Sequence, residues 1–273
     1  MDVAAIVPAA GAGRRFGGAT SKPFALLNGS PLLLHTLKTL QESPGIQWIV
    51  LVVQAAEREQ AAVLLKQHYL TKALAPCLGG SSRAESVARG FAAIPQEARW
   101  VLVHDGARPC VSRRLIQQAI REASRHGAVA CGLPASLTVK AVDERREVRL
   151  TLDRDHLWFV QTPQVFRRDW FAQALERACL SRPGGDGRQP DHHLEQFPDD
   201  AAVVESAGFH VRMILGDPLN LKVTTRDDLL LAEAILKSRA MRKEGSRRRE
   251  KGRTKAVRDV QSTLHPLPSS LSP

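Results

Sequence analysis

The segment that begins at Val7 places glycines and basic side chains together, directly after a short apolar run. Its sequence is VPAAGAGRRFGGATSKPFALLNG, which includes Gly11, Gly13, Arg15 and Lys22. Glycines let backbone N–H groups approach phosphate oxygens closely. An arginine adds a planar fork of donors, and a lysine adds a compact positive charge. Because phosphoryl and nucleotidyl transfer need mainly alignment and neutralisation of developing negative charge, the segment predicts a loop that binds a nucleoside triphosphate.

Two common phosphate-binding patterns do not fit this segment. A P-loop requires GxxxxGK[ST], and the segment contains no Gly-Lys pair. A dinucleotide fingerprint requires GxGxxG, but Phe16 stands where the third glycine should be. The apolar run WIVLVV, a candidate second strand, continues into Gln54 instead of an acidic residue. For the segment taken alone, a glycine-rich turn with solvated basic side chains stays open as the alternative.

The elements that must position this loop alternate between strand and helix. Predicted strands lie at 4–7, 48–53, 100–104 and 128–133, and predicted helices at 31–40, 57–69, 82–93 and 113–126. Ser30 is the predicted N-cap of the first helix, and Gly127 ends the fourth. The alternation predicts an α/β fold with a Rossmann-like, mainly parallel sheet that has helices on both faces.

Three polar segments follow predicted strands of this sheet. They are the opening segment, residues 79–86 and residues 105–109. In open α/β sheets, ligands bind outside the carboxyl ends of the strands. The sequence therefore predicts one ligand site where these three segments meet.

The pattern changes after Thr138. Residues 138–142 and 147–152 read as a hairpin, and we expect an arm at about 136–160 that needs a partner to cover it. Further predicted elements are a segment at 161–166, a helix at 169–179, a loop at 181–198, a strand at 211–215 and a helix at 226–236. The predicted division is one domain at 1–236 and a tail at 237–273.

The net charge of the chain is concentrated in that tail. Residues 237–273 hold eleven Lys and Arg and three acids, and so carry +8 of the formal charge of +11. The tail has few large apolar residues, and we expect it to be disordered. Because the rest of the chain carries little net charge, nucleic acid is not an expected partner of the main domain.

The remaining composition predicts a protein of the cytoplasm. No apolar stretch is long enough to cross a bilayer, and Met1-Asp2 leads straight into a strand-like segment without a signal peptide. The four cysteines form no CxxC pair, and we expect free thiols in a reducing compartment.

Six blocks of the sequence together resemble a known family. They run in order from the opening AAGAGRR…SK through GGSSRAESV, VHDGARP, DRDHLW, QTPQVF and GDPLNLKVT. The pattern is similar to the sugar-phosphate nucleotidyltransferases and, more narrowly, to the 2-C-methyl-D-erythritol 4-phosphate cytidylyltransferase family of the non-mevalonate isoprenoid pathway. The resemblance covers about residues 3–236 and leaves out the tail.

The resemblance implies the reaction and the partners. The phosphate of 2-C-methyl-D-erythritol 4-phosphate, a polyol phosphate, would attack the α-phosphorus of CTP and release pyrophosphate. The product would be 4-diphosphocytidyl-2-C-methyl-D-erythritol. An anionic phosphate oxygen needs no general base. The family forms homodimers in which the arm reaches into the neighbouring site, and Mg²⁺ is the implied cofactor.

The resemblance also implies roles for individual residues. Arg15 and Lys22 would be catalytic, by stabilising the charge of the transition state. CTP would be bound by Ala9, Ala10, Gly11, Gly13, Gly80, Ser81, Ser86 and Gly106. The polyol phosphate would be bound by Asp105, Arg108, Thr138, Arg154, Thr162 and Lys222. Of these, Arg108, Thr138 and Arg154 would lie near the substrate of the other subunit.

Metal binding and His104 are interpreted separately. Mg²⁺ would be held mostly by the CTP phosphates, and Asp105 is the one acidic residue named as a candidate ligand. His104 is interpreted as structural.

The sequence departs from the family pattern at a few positions. Lys22 is preceded by Ser21 and followed by Pro23, whereas the family usually has proline before the lysine. Leu137 and Pro198 stand where an Asp and a Thr are common, and the basic tail has no counterpart.

Two alternatives for the function stay open. A sister cytidylyltransferase would act on ribitol 5-phosphate and share the CTP loop. A nucleic-acid-binding protein would instead use the basic tail.

Overall fold

The central feature of the fold is a sheet of seven strands. The structure is a computed structural model that describes residues 1–11, 13, 15–17, 21–180, 194 and 196–242. The seven strands belong to a compact unit, Met1–Ala232. They are β1 (Val3–Pro8), β4 (Ile46–Val53), β5 (Cys77–Leu78), β6 (Trp100–Val103), β7 (Ala128–Pro134), β10 (Trp158–Arg167) and β11 (Arg212–Leu215).

The order of the strands explains where the carboxyl ends meet. The order is β11-β7-β10-β6-β1-β4-β5. β1 lies parallel between β4 and β6, with Ile6 aligned with Val50 and Val103. β10 runs antiparallel to both of its neighbours, and the other pairs in the sheet are parallel. The loops that follow β1, β4 and β6 therefore leave the sheet at one edge.

Helices cover both faces of the sheet. They are α1 (Leu32–Gln41), α2 (Arg58–Gln67), α3 (Arg83–Ala92), α4 (Arg113–His126), α5 (Arg168–Leu180) and α6 (Asp200–Ser206). A further helix, α7, spans residues 226–242. One core layer packs α1, α2 and α4 against the sheet, and the other packs α3, α5 and α6. Successive side chains of a strand point to opposite faces, so Ala5 and Val7 enter the first layer while Ala4 and Ile6 enter the second. The predicted fold class is confirmed.

Several predicted local details need correction. Ser30 does not cap α1, because Ser30–Pro31 forms the short strand β3, which pairs with β2 (Leu26–Leu27), and Pro31 takes the N-cap position. The strand β5 and the helix α6 were not predicted. The predicted segment at 161–166 lies inside the longer strand β10. Gly127 ends α4 as predicted, with a φ of 82°.

The predicted arm contains a hairpin that forms its own small sheet. β8 (Val139–Val142) pairs antiparallel with β9 (Val148–Leu152). Large apolar side chains of the hairpin are exposed, with Val148 at 57% and Leu150 at 56%. A two-stranded hairpin is marginally stable alone, so apolar exposure of this kind is typical of a surface that a partner covers.

The second compact unit, Glu233–Pro273, is described only in its first residues. Residues 233–242 are helical, with an ion pair of 2.7 Å between Lys237 and Glu233. The rest of the predicted tail, 243–273, and most of the predicted loop at 181–198 lie outside the described residues. No helix in the described part of the chain is long and apolar enough to cross a membrane.

Candidate active site at the carboxyl edge of the sheet

A cavity of about 410 Å³ lies at the edge where the loops after β1, β4 and β6 leave the sheet. Its walls include ten of the residues predicted to bind substrates or to catalyse. These are Ala9, Ala10, Gly11, Lys22, Gly80, Ser81, Ser86, Asp105, Gly106 and Lys222. The three polar segments predicted to meet at this edge therefore do line one cavity.

The opening loop is fixed at both ends by backbone contacts. The N–H of Ala9 donates to the carbonyl of Val52 at 2.7 Å, which ties the start of the loop to β4. Further along, Gly13 has a φ of 59°, and its carbonyl accepts from the N–H of Phe16 at 2.8 Å. Phe16 is buried, so this turn is anchored, while Arg15 beside it is exposed to solvent. Gly13 and Arg15 do not appear in the cavity wall.

Lys22 begins a short 3-10 helix, Lys22–Phe24. Pro23 lies in the first turn of this helix, where a missing N–H leaves no hydrogen bond broken. The proline after Lys22 is thus accommodated by the local structure. Burial and then the positive charge of Lys222 lower the pKa of Lys22. An anion bound in the cavity would relieve this repulsion between cations.

The second loop is organised by the start of α3. The hydroxyl of Ser82 caps the helix by accepting from the N–H of Glu85. The hydroxyl of Ser86 accepts from the N–H of Gly80 at 3.1 Å and donates to the carbonyl of Ser82 at 2.8 Å. A side chain at Gly79 would overlap Ala10 of the opening loop. The two loops consequently pack against each other, and Ser86 holds the shape of the second one.

Asp105 follows β6, and its carboxylate contacts three cationic side chains. Its carboxylate lies 3.1 Å from Arg83, 2.9 Å from Lys222 and 3.5 Å from Arg108. Burial disfavours the charged carboxylate, but the positive charges of these three side chains outweigh burial and hold its pKa far below the usual range. Asp105 is therefore ionised, and the cluster as a whole carries an excess of positive charge that suits an anionic substrate.

Arg83 extends this cluster to α6. Its guanidinium also donates to Asp200 at 2.8 Å, and the Asp200 side chain is almost fully buried. Burial raises the pKa of Asp200 although Arg83 opposes this. Arg83 and Asp200 were given no role from the sequence, although Arg83 stands within the GGSSRAESV block. A helix signal was present, because Asp199 caps α6 ahead of an apolar run.

The side chains of this site are poor ligands for a metal ion. Mg²⁺ prefers carboxylate oxygens and usually keeps several waters. Asp105, the candidate ligand, already faces three cations, which disfavour a further positive charge. Among the residues that the structure describes, no group of three or more His, Cys, Asp or Glu could hold a metal. A Mg²⁺ ligated by protein carboxylates does not fit this site.

Thr162, on β10, is not one of the residues that line the cavity, but it contacts Asp105, which does line it. Its hydroxyl accepts from the N–H of Asp105 at 3.1 Å, and it lies 3.0 Å from Nδ1 of His104. The carbonyl of Thr162 accepts from the side chain of Asn220 at 2.7 Å. Thr162 thereby joins β10 to the Asp105 segment and to the segment that carries Lys222.

The remaining predicted residues lie away from the cavity wall. Arg108 is buried within its own chain, where it donates to the carbonyl of Asn220 at 2.9 Å. Arg154 is exposed at the base of the hairpin and donates to the carbonyl of Ser136 at 2.9 Å. Thr138 is exposed next to β8.

Comparisons with known proteins all identify the same family. The profile of the 2-C-methyl-D-erythritol 4-phosphate cytidylyltransferase (IspD) family matches residues 3–238. A protein of that name from Syntrophus aciditrophicus is 39% identical over 236 residues, which is 86% of this chain and 96% of that protein. One from Alkaliphilus metalliredigens is 38% identical over 87% of this chain and 94% of its own length.

Solved structures show the same similarity. The crystal structure of 4-diphosphocytidyl-2C-methyl-D-erythritol synthase from Anaerococcus prevotii has a TM-score of 0.72 and 27% identity, covering 86% of this chain and 96% of that one. The cytidylyltransferase from Francisella tularensis has a TM-score of 0.70 and 28% identity, covering 86% and 100%. The chain therefore belongs to the 2-C-methyl-D-erythritol 4-phosphate cytidylyltransferase family.

Proposed function

We propose that this enzyme transfers CMP from CTP to 2-C-methyl-D-erythritol 4-phosphate in isoprenoid precursor biosynthesis. A phosphate oxygen of the polyol phosphate forms a bond to the α-phosphorus of CTP, and the bond from that phosphorus to the β-phosphate oxygen breaks. The products are 4-diphosphocytidyl-2-C-methyl-D-erythritol and pyrophosphate. The observation that carries the proposal is the single cavity in which the opening loop, Lys22 and the Asp105 cluster meet.

The triphosphate is assigned to the opening loop. Backbone N–H groups of Ala10, Gly11 and Gly13 are suited to phosphate oxygens. The N–H of Ala9 is already bonded to the carbonyl of Val52, so Ala9 is assigned to the wall of the triphosphate site and not to a phosphate hydrogen bond. Lys22 lines the cavity and supplies a positive charge to the pentacoordinate transition state. Arg15, which is exposed beside the loop, is assigned the same task.

The cytidine is assigned to the second loop. Gly80, Ser81, Ser86 and Gly106 line the cavity together with the opening loop. A side chain at Gly106 would press against Leu33 and Ala9, so this part of the cavity wall is backbone packed closely on its neighbours. Close backbone walls suit the recognition of a flat pyrimidine by N–H and carbonyl groups.

The polyol phosphate is assigned to the Asp105 side of the cavity. Lys222 offers a charge to the phosphate, while the Asp105 carboxylate and the Thr162 hydroxyl face the polyol. Arg108 holds Asp105 within its own chain, and its role toward the substrate of a neighbouring subunit stays a prediction.

We further assign the arm to a homodimer. The exposed apolar side chains of the hairpin would be covered by a second copy of the chain, and Thr138 and Arg154 would then approach the partner's polyol phosphate. The predicted boundaries of the arm, of the domain at 1–236 and of the tail at 237–273 stay predictions.

The cofactor proposed for the reaction is Mg²⁺ bound through the phosphates of CTP. The poor fit of Asp105 to a cation favours ligation by the nucleotide over ligation by the protein. Cys77 and Cys131 are free thiols. Free thiols are typical of the reducing cytoplasm, which is the location proposed for this enzyme.

The test is a substrate panel. Purified protein is incubated with CTP, Mg²⁺ and either methylerythritol phosphate or ribitol 5-phosphate, and pyrophosphate release is measured. We expect methylerythritol phosphate to be used with the higher kcat/KM. A preference for ribitol 5-phosphate would replace the proposed substrate and leave the CTP site in place.

A truncated chain distinguishes the proposed transferase from the alternative, a nucleic-acid-binding protein that uses the basic tail. A chain that ends at Ala240 lacks most of the basic tail and should keep its kcat/KM for both substrates. Loss of transferase activity in the truncated, folded chain would contradict the assignment of the active site to the main domain.

A further inference from the structure

The buried contacts of His104 define the direction of a hydrogen bond in the active site. The His104 side chain is fully buried between β6 and β10. Its Nε2 lies 3.4 Å from the carbonyl oxygen of Arg108, and its Nδ1 lies 3.0 Å from the hydroxyl of Thr162. Neither contact reaches solvent, so both partners are fixed by the fold.

The chemistry of these partners decides which nitrogen carries the proton. A carbonyl oxygen can only accept, so Nε2 must be the donor toward Arg108. Burial lowers the pKa of His104 to about 4, and the ring is therefore neutral at physiological pH. A neutral imidazole has one N–H, which leaves Nδ1 as an acceptor. The hydroxyl of Thr162 must then donate to Nδ1.

The direction of this bond limits what Thr162 can offer to a ligand. A threonine hydroxyl has one proton and two lone pairs. The proton points to His104, and one lone pair accepts from the N–H of Asp105. One lone pair is left.

We propose that His104 is a positioning residue that holds the Thr162 hydroxyl as an acceptor, so that Thr162 receives a hydrogen bond from a substrate hydroxyl and does not donate to a phosphate oxygen. This inference rests on the proposed polyol phosphate substrate. The neighbouring carboxylate of Asp105 is ionised and is likewise an acceptor only. Together the two groups form a side of the site that accepts from polyol hydroxyls and offers no hydrogen-bond donor to a phosphate oxygen. The phosphate is directed to the cations, and the polyol phosphate enters in one orientation.

The first test needs no variant and no activity. Long-range ¹H–¹⁵N correlation spectra of the histidine rings, recorded on the full chain near neutral pH, report the tautomer of each imidazole. We expect His104 to be neutral with its proton on Nε2. A proton on Nδ1, or a charged ring, would overturn the proposal even if the enzyme turned out to use a different substrate.

The second test compares two polar replacements of His104. The oxygen of an asparagine side chain can take the place of Nδ1 and accept from Thr162, whereas the amide of a glutamine can replace only the donor at Nε2. We expect His104→Gln to raise KM for methylerythritol phosphate by about 5-fold or more and KM for CTP by less than about 2-fold. His104→Asn should lie much closer to wild type.

Controls separate this positioning role from a merely structural one. His126→Gln, on the exposed surface of α4, should change neither KM, and thermal unfolding confirms that each variant is folded. Equal increases in KM for His104→Asn and His104→Gln, or an equal rise for both substrates, would overturn the proposal. Absence of activity toward methylerythritol phosphate in the wild-type chain would instead contradict the proposed function and leave the spectroscopic test standing.

Discussion

At the scale of single residues, Lys22 shows how the site prepares for an anion. The side chain is half-buried, and it shares the cavity with the cation Lys222. Both burial and this repulsion make its charge costly in the free enzyme. A triphosphate would remove the repulsion, and the charge that develops in the transition state would interact with Lys22 most strongly.

Replacement of Lys22 tests its catalytic assignment. Lys22→Ala should lower kcat by at least ~100-fold, the scale of losing one transition-state donor, with a modest change in CTP binding. Steady-state kinetics and nucleotide titration measure the two effects. Lys66→Ala, on the exposed face of α2, is the matched control. Unchanged turnover in Lys22→Ala would remove this residue from the mechanism.

His104 makes the stability of the protein depend on pH. Its pKa is about 4 in the folded chain and 6.5 when exposed, so the unfolded chain binds the proton more readily. The stabilisation is complete above pH 6.5 and is lost as the pH falls toward 4. The free energy of unfolding should decrease by about 3 kcal/mol over this interval because of His104 alone.

Urea unfolding at about pH 7 and about pH 4.5 measures this effect. Other groups also titrate in this interval, so the comparison is with His104→Gln, which should lose less stability between the two conditions than the wild-type chain. An identical loss in both chains would show that His104 does not bind a proton on unfolding.

At the scale of elements, Arg83 joins three parts of the fold. It begins α3, and its guanidinium bridges Asp105 at the end of β6 to Asp200 at the start of α6. Two buried carboxylates therefore share one arginine, although Asp105 also pairs with Lys222 and Arg108. Removing that arginine leaves both negative charges without their shared partner, which is more costly than removing either carboxylate.

Variants of Arg83 and Asp200 should differ in how much they lower the free energy of unfolding. Arg83→Met should lower the free energy of unfolding by about 1–3 kcal/mol, because its side chain is partly exposed and solvent screens part of the effect. Asp200→Asn should cost less, since burial already disfavours the charged Asp200. Denaturant unfolding measures both, and Arg125→Met on α4 is the exposed control. A larger loss in Asp200→Asn than in Arg83→Met would contradict this order.

At the scale of the whole molecule, the arm bears on whether one chain or two chains form each active site. The hairpin exposes apolar side chains, and the side chain of Arg154 at its base donates to the backbone carbonyl of Ser136. An arm of this kind gains stability and a role when a second copy covers it.

Mixing of inactive chains tests whether sites are shared. Arg154→Ala and Lys22→Ala homodimers should each be impaired, and a mixture that exchanges subunits should regain some activity. In the mixed dimer, one site would combine an intact Lys22 with an intact Arg154 from the partner. Full activity of the Arg154→Ala homodimer would contradict its assigned role, and a mixture without any gain would contradict action across subunits.

The sequence predicted much of the fold because the relevant signals are local. The strand runs and the end of α4 at Gly127 depend on residues next to one another in the chain. The meeting of three polar segments also follows from local signals, since parallel strands bring their carboxyl ends to one edge. The resemblance then assigned roles to Lys22, Asp105 and Lys222, which do line the cavity.

Local signals did not predict which side chains pair. Arg83 and Asp200 are 117 positions apart in the chain, and His104 and Thr162 are 58 apart. Pairing over such separations depends on how β10 enters between β6 and β7 and where α6 packs. The prediction that Ser30 caps α1 was wrong for a similar reason, because Ser30 pairs with β2 instead.

The sequence by itself determined the fold class and membership of the family, because these depend on residue types and short spacings. Only the tertiary structure decided that Asp105 is held ionised by three cations, that Arg83 is tied to α6, and that the Thr162 hydroxyl faces a neutral histidine. The physical reason is that charge and proton position depend on burial and on neighbours from distant parts of the chain.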